Sequence, residues 1–158
     1  MEKTQEKIQL LLRIVHRLNE AGVEWALGAS MLLYFKGITS DFHDIDLMVT
    51  DCDAECVRTI LSEMGESFPS ASIPNPMYRA KTFMEFFIDS VEVDVMAGFA
   101  IVKDGKVYDC ALHKEQIVEK MPLETEVIPL QSPSLWCKYY RLMGRAEKTE
   151  MIEKAIER

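Results

Sequence analysis

Apolar positions at helical spacing open the chain. Ile8, Leu11, Leu12, Val15 and Leu18 fall on one side of an amphipathic helix predicted over residues 3–20 and stopped near Gly22. Residues 23–27 are short and apolar, as a buried strand would be, and run into a turn at Gly28-Ala29-Ser30. A helix resumes over 31–35 and ends at Gly37. From Asp44 to Val49 the pattern changes to strict alternation, so that Ile45, Leu47 and Val49 share one strand face and Asp44 and Asp46 the other. Residues 53–64 carry a helical stripe of Val57, Ile60, Leu61 and Met64, with Asp53 as its cap.

A Pro- and Ser-bearing loop is expected over 65–80. Strands are expected at 82–88 and 91–96, joined in a tight hairpin at Asp89-Ser90. In the second of them Val91, Val93 and Val95 share a face, which leaves Glu92 and Asp94 on the opposite one. A further hairpin is expected at 99–102 and 106–110 around Asp104-Gly105, then a helix at 113–121 and a short strand at 126–130. Ser132-Pro133 reads as a helix start running to Met143 and stopped by Gly144, with a last helix over 146–157. Strands and helices mix without regular alternation and include antiparallel hairpins. The expected class is α+β, a mixed sheet flanked by helices, and the 158 residues fit a single domain, 1–158.

Composition narrows the partners. Apolar residues at 48% and charged residues at 28% are ordinary for a water-soluble domain. No apolar run approaches the roughly 18 residues of a membrane helix. The N-terminus lacks the apolar centre of a secretion signal, so no membrane partner and a cytoplasmic location are expected. Cys52, Cys56, Cys110 and Cys137 show no metal-ligand spacing and read as reduced thiols. The net charge of −8 repels polyanions and disfavours nucleic acid as the main partner. A single nucleotide remains open, because a local cation reverses the sign of the field.

Candidate chemistry centres on Asp44 and Asp46. Two carboxylates at i and i+2 on one strand face repel, and a hard divalent cation such as Mg²⁺ resolves the conflict. Asp94 is a third acid in the same alternating pattern. If the two strands are neighbours, the three converge on one rim of the sheet. An isolated acid-x-acid strand is often no more than solvated surface; here the Gly28-Ala29-Ser30 turn before it and Asp94 after it add context. An EF-hand loop starting at Asp44 fails, since Met48 and Val49 stand where an oxygen ligand and a glycine are needed. A phosphatase-type nucleophile fails as well, because Thr39-Ser40-Asp41-Phe42-His43 precedes the pair instead of an apolar strand.

Taken in order, Gly28-Ala29-Ser30, Asp44-Ile45-Asp46 and Val93-Asp94-Val95 resemble the nucleotidyltransferase superfamily, polymerase-beta-like, and within it the small bacterial minimal, antibiotic and toxin-type members. The likeness extends to Ile128-Pro129-Leu130-Gln131-Ser132-Pro133, to Lys138, and to Leu142-Met143-Gly144-Arg145. It spans about residues 20–150. Ala29 stands where relatives carry glycine or serine, and Ser40 and Phe42 where many carry arginine and threonine.

The resemblance implies Mg²⁺ (or Mn²⁺) on Asp44 and Asp46, with Asp94 completing the site and taking the acceptor's proton. It implies a nucleoside triphosphate held by Gly28, Ala29, Ser30, Lys138 and Arg145. A hydroxyl of a small molecule or protein would attack the α-phosphorus and expel pyrophosphate. The alternative is a catalytically inactive nucleotide-binding or protein-interaction module with the same fold. His43, beside Asp44, is a further candidate for a phosphate or acceptor contact. Few residues remain for an acceptor-binding domain, so a homodimer that builds the acceptor cleft between subunits is a possible arrangement.

Overall fold

The computed structural model describes residues 2–68 and 77–156. A seven-stranded mixed sheet forms its centre, in the order β3-β5-β6-β2-β1-β10-β9. The strands are β1 (Trp25–Leu27), β2 (Ile45–Val49), β3 (Glu66–Phe68), β5 (Thr82–Ile88), β6 (Val91–Ala97), β9 (Glu119–Leu123) and β10 (Glu126–Leu130). β2 runs parallel to β6 and β1 to β10; the other pairs are antiparallel. A second, three-stranded sheet joins β4 (Tyr78–Arg79), β7 (Ala100–Lys103) and β8 (Lys106–Asp109).

Alternation along the strands decides which face is covered. On one face Ile45, Leu47, Val49, Val93, Val95, Met84, Phe86 and Ile88 are buried. Helices α1 (Glu2–Glu20) and α3 (Ala54–Ser62) pack together and reach β10 and β5 on that side. α1 buries Leu10, Leu11, Ile14, Val15 and Leu18 and leaves Arg13 and His16 in water, so its stripe matches the expected spacing. The opposite face carries the acids and is partly roofed by α2 (Ala29–Phe35), α4 (Pro133–Met143) and α5 (Ala146–Ile156), which contact one another or the sheets.

Local signals account for most boundaries. Asp89 and Ser90 both take positive φ (50° and 66°), as do Asp104 and Gly105 (52° and 76°), which suits two-residue hairpins whose twist matches the strands. Ser132 caps α4, its hydroxyl oxygen accepting from the Leu135 N–H at 3.0 Å, and Gly144 ends it at φ 77°. Two expectations are corrected. The helix expected over 113–121 is a single 3-10 turn, Lys114–Gln116, followed by edge strand β9. Its polar residues have helix propensity, but five register pairs with β10 outweigh it, and Pro122 sits at an edge where its missing N–H is harmless. The loop expected over 65–80 contributes β3 and β4 at its ends; residues 69–76 lie outside the described part, as does 157 of the last helix. No helix among the described residues is long and apolar enough to cross a membrane.

Candidate functional site

The acids are assembled by strand register. Asp46 and Asp94 are direct partners across the parallel β2–β6 pair, and Glu85 of β5 is the antiparallel partner of Asp94. Partners across a sheet share a face, so the row Asp46–Asp94–Glu85 is a consequence of backbone pairing. Asp44 lies just ahead of β2. Oxygen atoms of Asp44, Glu92 and Asp94 lie within 4.8 Å of one another. The expected acids are thus brought together, with one addition: Glu92 joins Asp44 and Asp94 in the tightest group, and Asp46 stands beside it.

Burial and mutual repulsion raise their proton affinity. Asp46 is pushed up to about 7 by loss of solvent and by the charges of Asp44 and Glu92, against a smaller opposing pull from Lys148 and Arg145. Asp94 is pushed up to about 9, first by burial and then by Asp46, Glu92 and Asp44. Glu92 is raised too, chiefly by burial and by Asp44. Among the described residues Asp94 Oδ1 is buried without a hydrogen-bond partner. An orphaned carboxylate oxygen inside an acid group that already resists ionisation fits a hard cation, whose charge and oxygen preference answer both problems. The donor set suits Mg²⁺ or Mn²⁺ and contains no soft ligand.

These shifts set a pH dependence. A carboxyl whose proton is held more tightly in the fold than in the unfolded chain stabilises the fold at low pH and loses that contribution as pH rises. Metal-free stability should therefore fall as pH climbs from near 4 through about 7 and on to about 9, the values for Asp46 and Asp94. Each group contributes up to about 1.4 kcal/mol per pH unit within its window. Thermal melts in a chelator should show the fall. Added Mg²⁺ should raise the melting temperature more at about pH 8 than at about pH 5. A chelated protein that melts at the same temperature across this range would remove the basis for the shifts.

The facing wall comes from the turn after β1 and from α4 and α5. Gly28 is buried, and a Cβ there would lie 2.6 Å from the Trp136 ring, so only glycine lets the indole in. Trp136 is held by its indole N–H donating to buried Gln131 Oε1 at 2.7 Å. Gly28→Ala should destabilise the protein by about 1–3 kcal/mol through overpacking; a denaturant midpoint equal to wild type would contradict that packing. The Gly28 N–H donates to the Asp46 carbonyl at 3.2 Å, so it ties the turn to the acid strand and is not free for a phosphate. Ala29 takes φ 55°, a left-handed conformation that costs a side-chain-bearing residue roughly 1–2 kcal/mol. Ser30 lines the cavity.

Arg145 and Lys148 supply the positive side. Both lie over the Tyr140 ring, 5.3 and 5.8 Å from its centroid, and both act on Asp46. Burial and the Arg145 charge lower the affinity of Lys148 for its proton, and Asp46 and Asp41 partly restore it. Lys138 is not brought in: it is exposed on α4, near Cys110. Phe42 is buried against Tyr34 at 4.9 Å between ring centroids, a core role in place of a polar one. His43 is exposed, pairs with Asp41 at 3.7 Å and stands at the rim.

Acids, turn and cations line one cavity of about 560 Å³, with Tyr78, Phe83, Met96, Phe99 and Met143 making its apolar part. Sequence reasoning missed Glu92 and Lys148 as members. The signal for Glu92 was present in Glu92-Val93-Asp94, the same i, i+2 spacing as the first acid pair. For Lys148 there was only a place one turn after Arg145.

No family model matches the chain, and no curated protein matches it in sequence. Solved structures match it in fold. A Thermotoga maritima protein (TM1012), described as a candidate nucleotidyltransferase, is 23% identical with a TM-score of 0.71, over 97% of this chain and 94% of that one. ANT(2'')-Ia in complex with adenylyl-2''-tobramycin is 11% identical with a TM-score of 0.64, over 96% and 90%. The solution structure of the antibiotic-resistance factor ANT(2'')-Ia is 13% identical with a TM-score of 0.65, over 99% and 86%. The chain has the nucleotidyltransferase fold, an α+β mixed sheet flanked by helices.

Proposed function

We propose that the protein transfers a nucleotidyl group from a nucleoside triphosphate to a hydroxyl of a small molecule or protein, releasing pyrophosphate. The observation that carries this reading is the register pair Asp46–Asp94, with Asp44 and Glu92 beside it, facing Arg145 and Lys148 across one cavity. Asp44, Asp46, Glu92 and Asp94 would hold Mg²⁺ or Mn²⁺, which supplies charge neutralisation and orientation of the phosphates.

The chain's own groups do the rest. Arg145, Lys148 and the Ser30 hydroxyl hold the β- and γ-phosphates by charge-assisted hydrogen bonds. The acceptor oxygen forms a bond to the α-phosphorus while the bond to the bridging oxygen breaks, and pyrophosphate leaves with that electron pair. The acceptor's proton passes to Asp94, whose Oδ1 has no competing partner among the described residues. In-line displacement puts the acceptor on the far side of phosphorus from the pyrophosphate that Arg145 and Lys148 hold. ANT(2'')-Ia, seen with adenylyl-2''-tobramycin, is the precedent among the fold neighbours for a small-molecule product.

The test is incubation with Mg²⁺ and α-labelled triphosphates against a panel of hydroxyl acceptors, cationic ones included, following pyrophosphate release. Label on an acceptor hydroxyl supports transfer. Tight binding with no release for any acceptor supports the second reading, a nucleotide-binding module without turnover. That reading is favoured by the strained Ala29 and by the Gly28 N–H committed to Asp46.

A further inference from the structure

We propose that Gln131, oriented by Gln116, is a positioning residue: it fixes the Trp136 ring and so sets the distance between the acid row and the Arg145–Lys148 pair. The inference rests on the nucleotidyl-transfer reading and adds to it a residue that touches no substrate. Trp136 meets both halves of the site. On one side its ring fills the space a Cβ on Gly28 would need, at 2.6 Å, and the Gly28 N–H donates to the Asp46 carbonyl at 3.2 Å. On the other its centroid lies 5.5 Å from that of Tyr140, the ring that carries Arg145 and Lys148. Turning the indole therefore moves the turn behind the acids, the platform under the cations, or both.

The indole is held from behind the cavity wall. Gln131 is 1% exposed, and neither it nor Gln116 lines the cavity. The backbone N–H of His113 can only donate, so Gln116 meets it with Oε1, at 3.2 Å. The same oxygen accepts from Gln131 Nε2 at 3.3 Å, which leaves Gln131 Oε1 to accept from the Trp136 indole N–H at 2.7 Å. Gln116 Nε2 donates to the Tyr139 hydroxyl at 3.4 Å, and the Gln131 N–H to the Leu27 carbonyl at 3.3 Å. Each amide thus has one orientation, and the indole N–H has one place to point. Stability alone does not call for this arrangement, because an apolar pair of the same shape is often as stable as a buried hydrogen-bonded one. A satisfied polar network adds direction. Direction matters because the phosphates must span from metal on the acids to the cations opposite, and a misplacement of about 1 Å costs up to about a hundredfold.

Calorimetric titration separates positioning from packing. The readout is an enhancement, the affinity of the tightest-binding of ATP, GTP, CTP and UTP with saturating Mg²⁺ divided by its affinity in a chelator. Mn²⁺ affinity without nucleotide and a thermal melt accompany it. Wild type should show an enhancement of at least about tenfold. Gln131→Met should cut it below about threefold at a temperature well under its melt, with Mn²⁺ alone and nucleotide alone each within about twofold of wild type. Gln131→Met combined with Trp136→Phe should melt higher than Gln131→Met, since no indole N–H is left unpaired, yet its enhancement should stay low. A wild-type enhancement in Gln131→Met would overturn the proposal. So would an enhancement that returns with the melting temperature in the double variant, or a loss of Mn²⁺ affinity that accounts for the whole effect. If Gln131→Met fails to fold, Gln116→Met decides: an enhancement lower by at least about threefold supports the proposal, and no change overturns it. No Mg²⁺-dependent binding of any of the four nucleotides to wild type overturns the nucleotidyl-transfer reading and the proposal with it.

Discussion

Asp94→Asn is expected to remove turnover while sparing most triphosphate binding. The change keeps the size of the side chain and deletes its capacity to take a proton, so kcat should fall by about 10²–10⁴-fold, the usual worth of a positioned base. Triphosphate affinity should change far less, because Asp44, Asp46, Glu92, Arg145 and Lys148 remain. Above about pH 9 the metal-free fold should be as stable or more stable, since asparagine stays neutral where the wild-type carboxyl would ionise among Asp46, Glu92 and Asp44. Turnover, calorimetric affinity and a thermal melt separate the outcomes. Affinity lost in step with kcat would make Asp94 a binding residue. An unchanged kcat would remove it from the reaction.

Replacing Asp44 and Asp46 together by asparagine should have the second large effect. Two charge-assisted ligands at roughly 1.5–3 kcal/mol each correspond to at least about a hundredfold loss of Mg²⁺-triphosphate affinity. At about pH 8 the chelated double variant should melt higher than wild type, because repulsion across the acid row is relieved. Metal affinity unchanged in this variant would leave the acids as surface.

The features that could be read from the sequence are those fixed by neighbours in the chain. Alternation at 44–49 and 91–96 put Asp44, Asp46 and Asp94 on open faces, and positive-φ pairs at Asp89-Ser90 and Asp104-Gly105 made the hairpins. Ser132, Pro133 and Gly144 bounded α4. What stayed hidden depends on distant partners. β9 is a strand because β10 pairs with it, against its own helical propensity. The need for Gly28 comes from Trp136, and the membership of Glu92 from Asp44 just ahead of β2. Lys138 entered the expected site through the family resemblance, and it occupies the exposed flank of α4. Lys148 reaches the site because Gly144 turns α5 back against α4.

Glu92 also changes how the motif is understood. Three acids in order are enough for the resemblance, but the tightest oxygen cluster pairs Asp44 and Asp94 with Glu92, and Asp46 leans toward the cations. Asp46 thereby sits between the two halves of the site, within the field of Arg145 and Lys148.

The most direct test is a titration of labelled nucleoside triphosphate into the wild-type protein with Mg²⁺ and again with a chelator. Binding at micromolar to sub-millimolar concentration with the metal, weakened at least about tenfold without it, is the predicted result. Failure of every triphosphate to bind at millimolar concentration with Mg²⁺ present would contradict it.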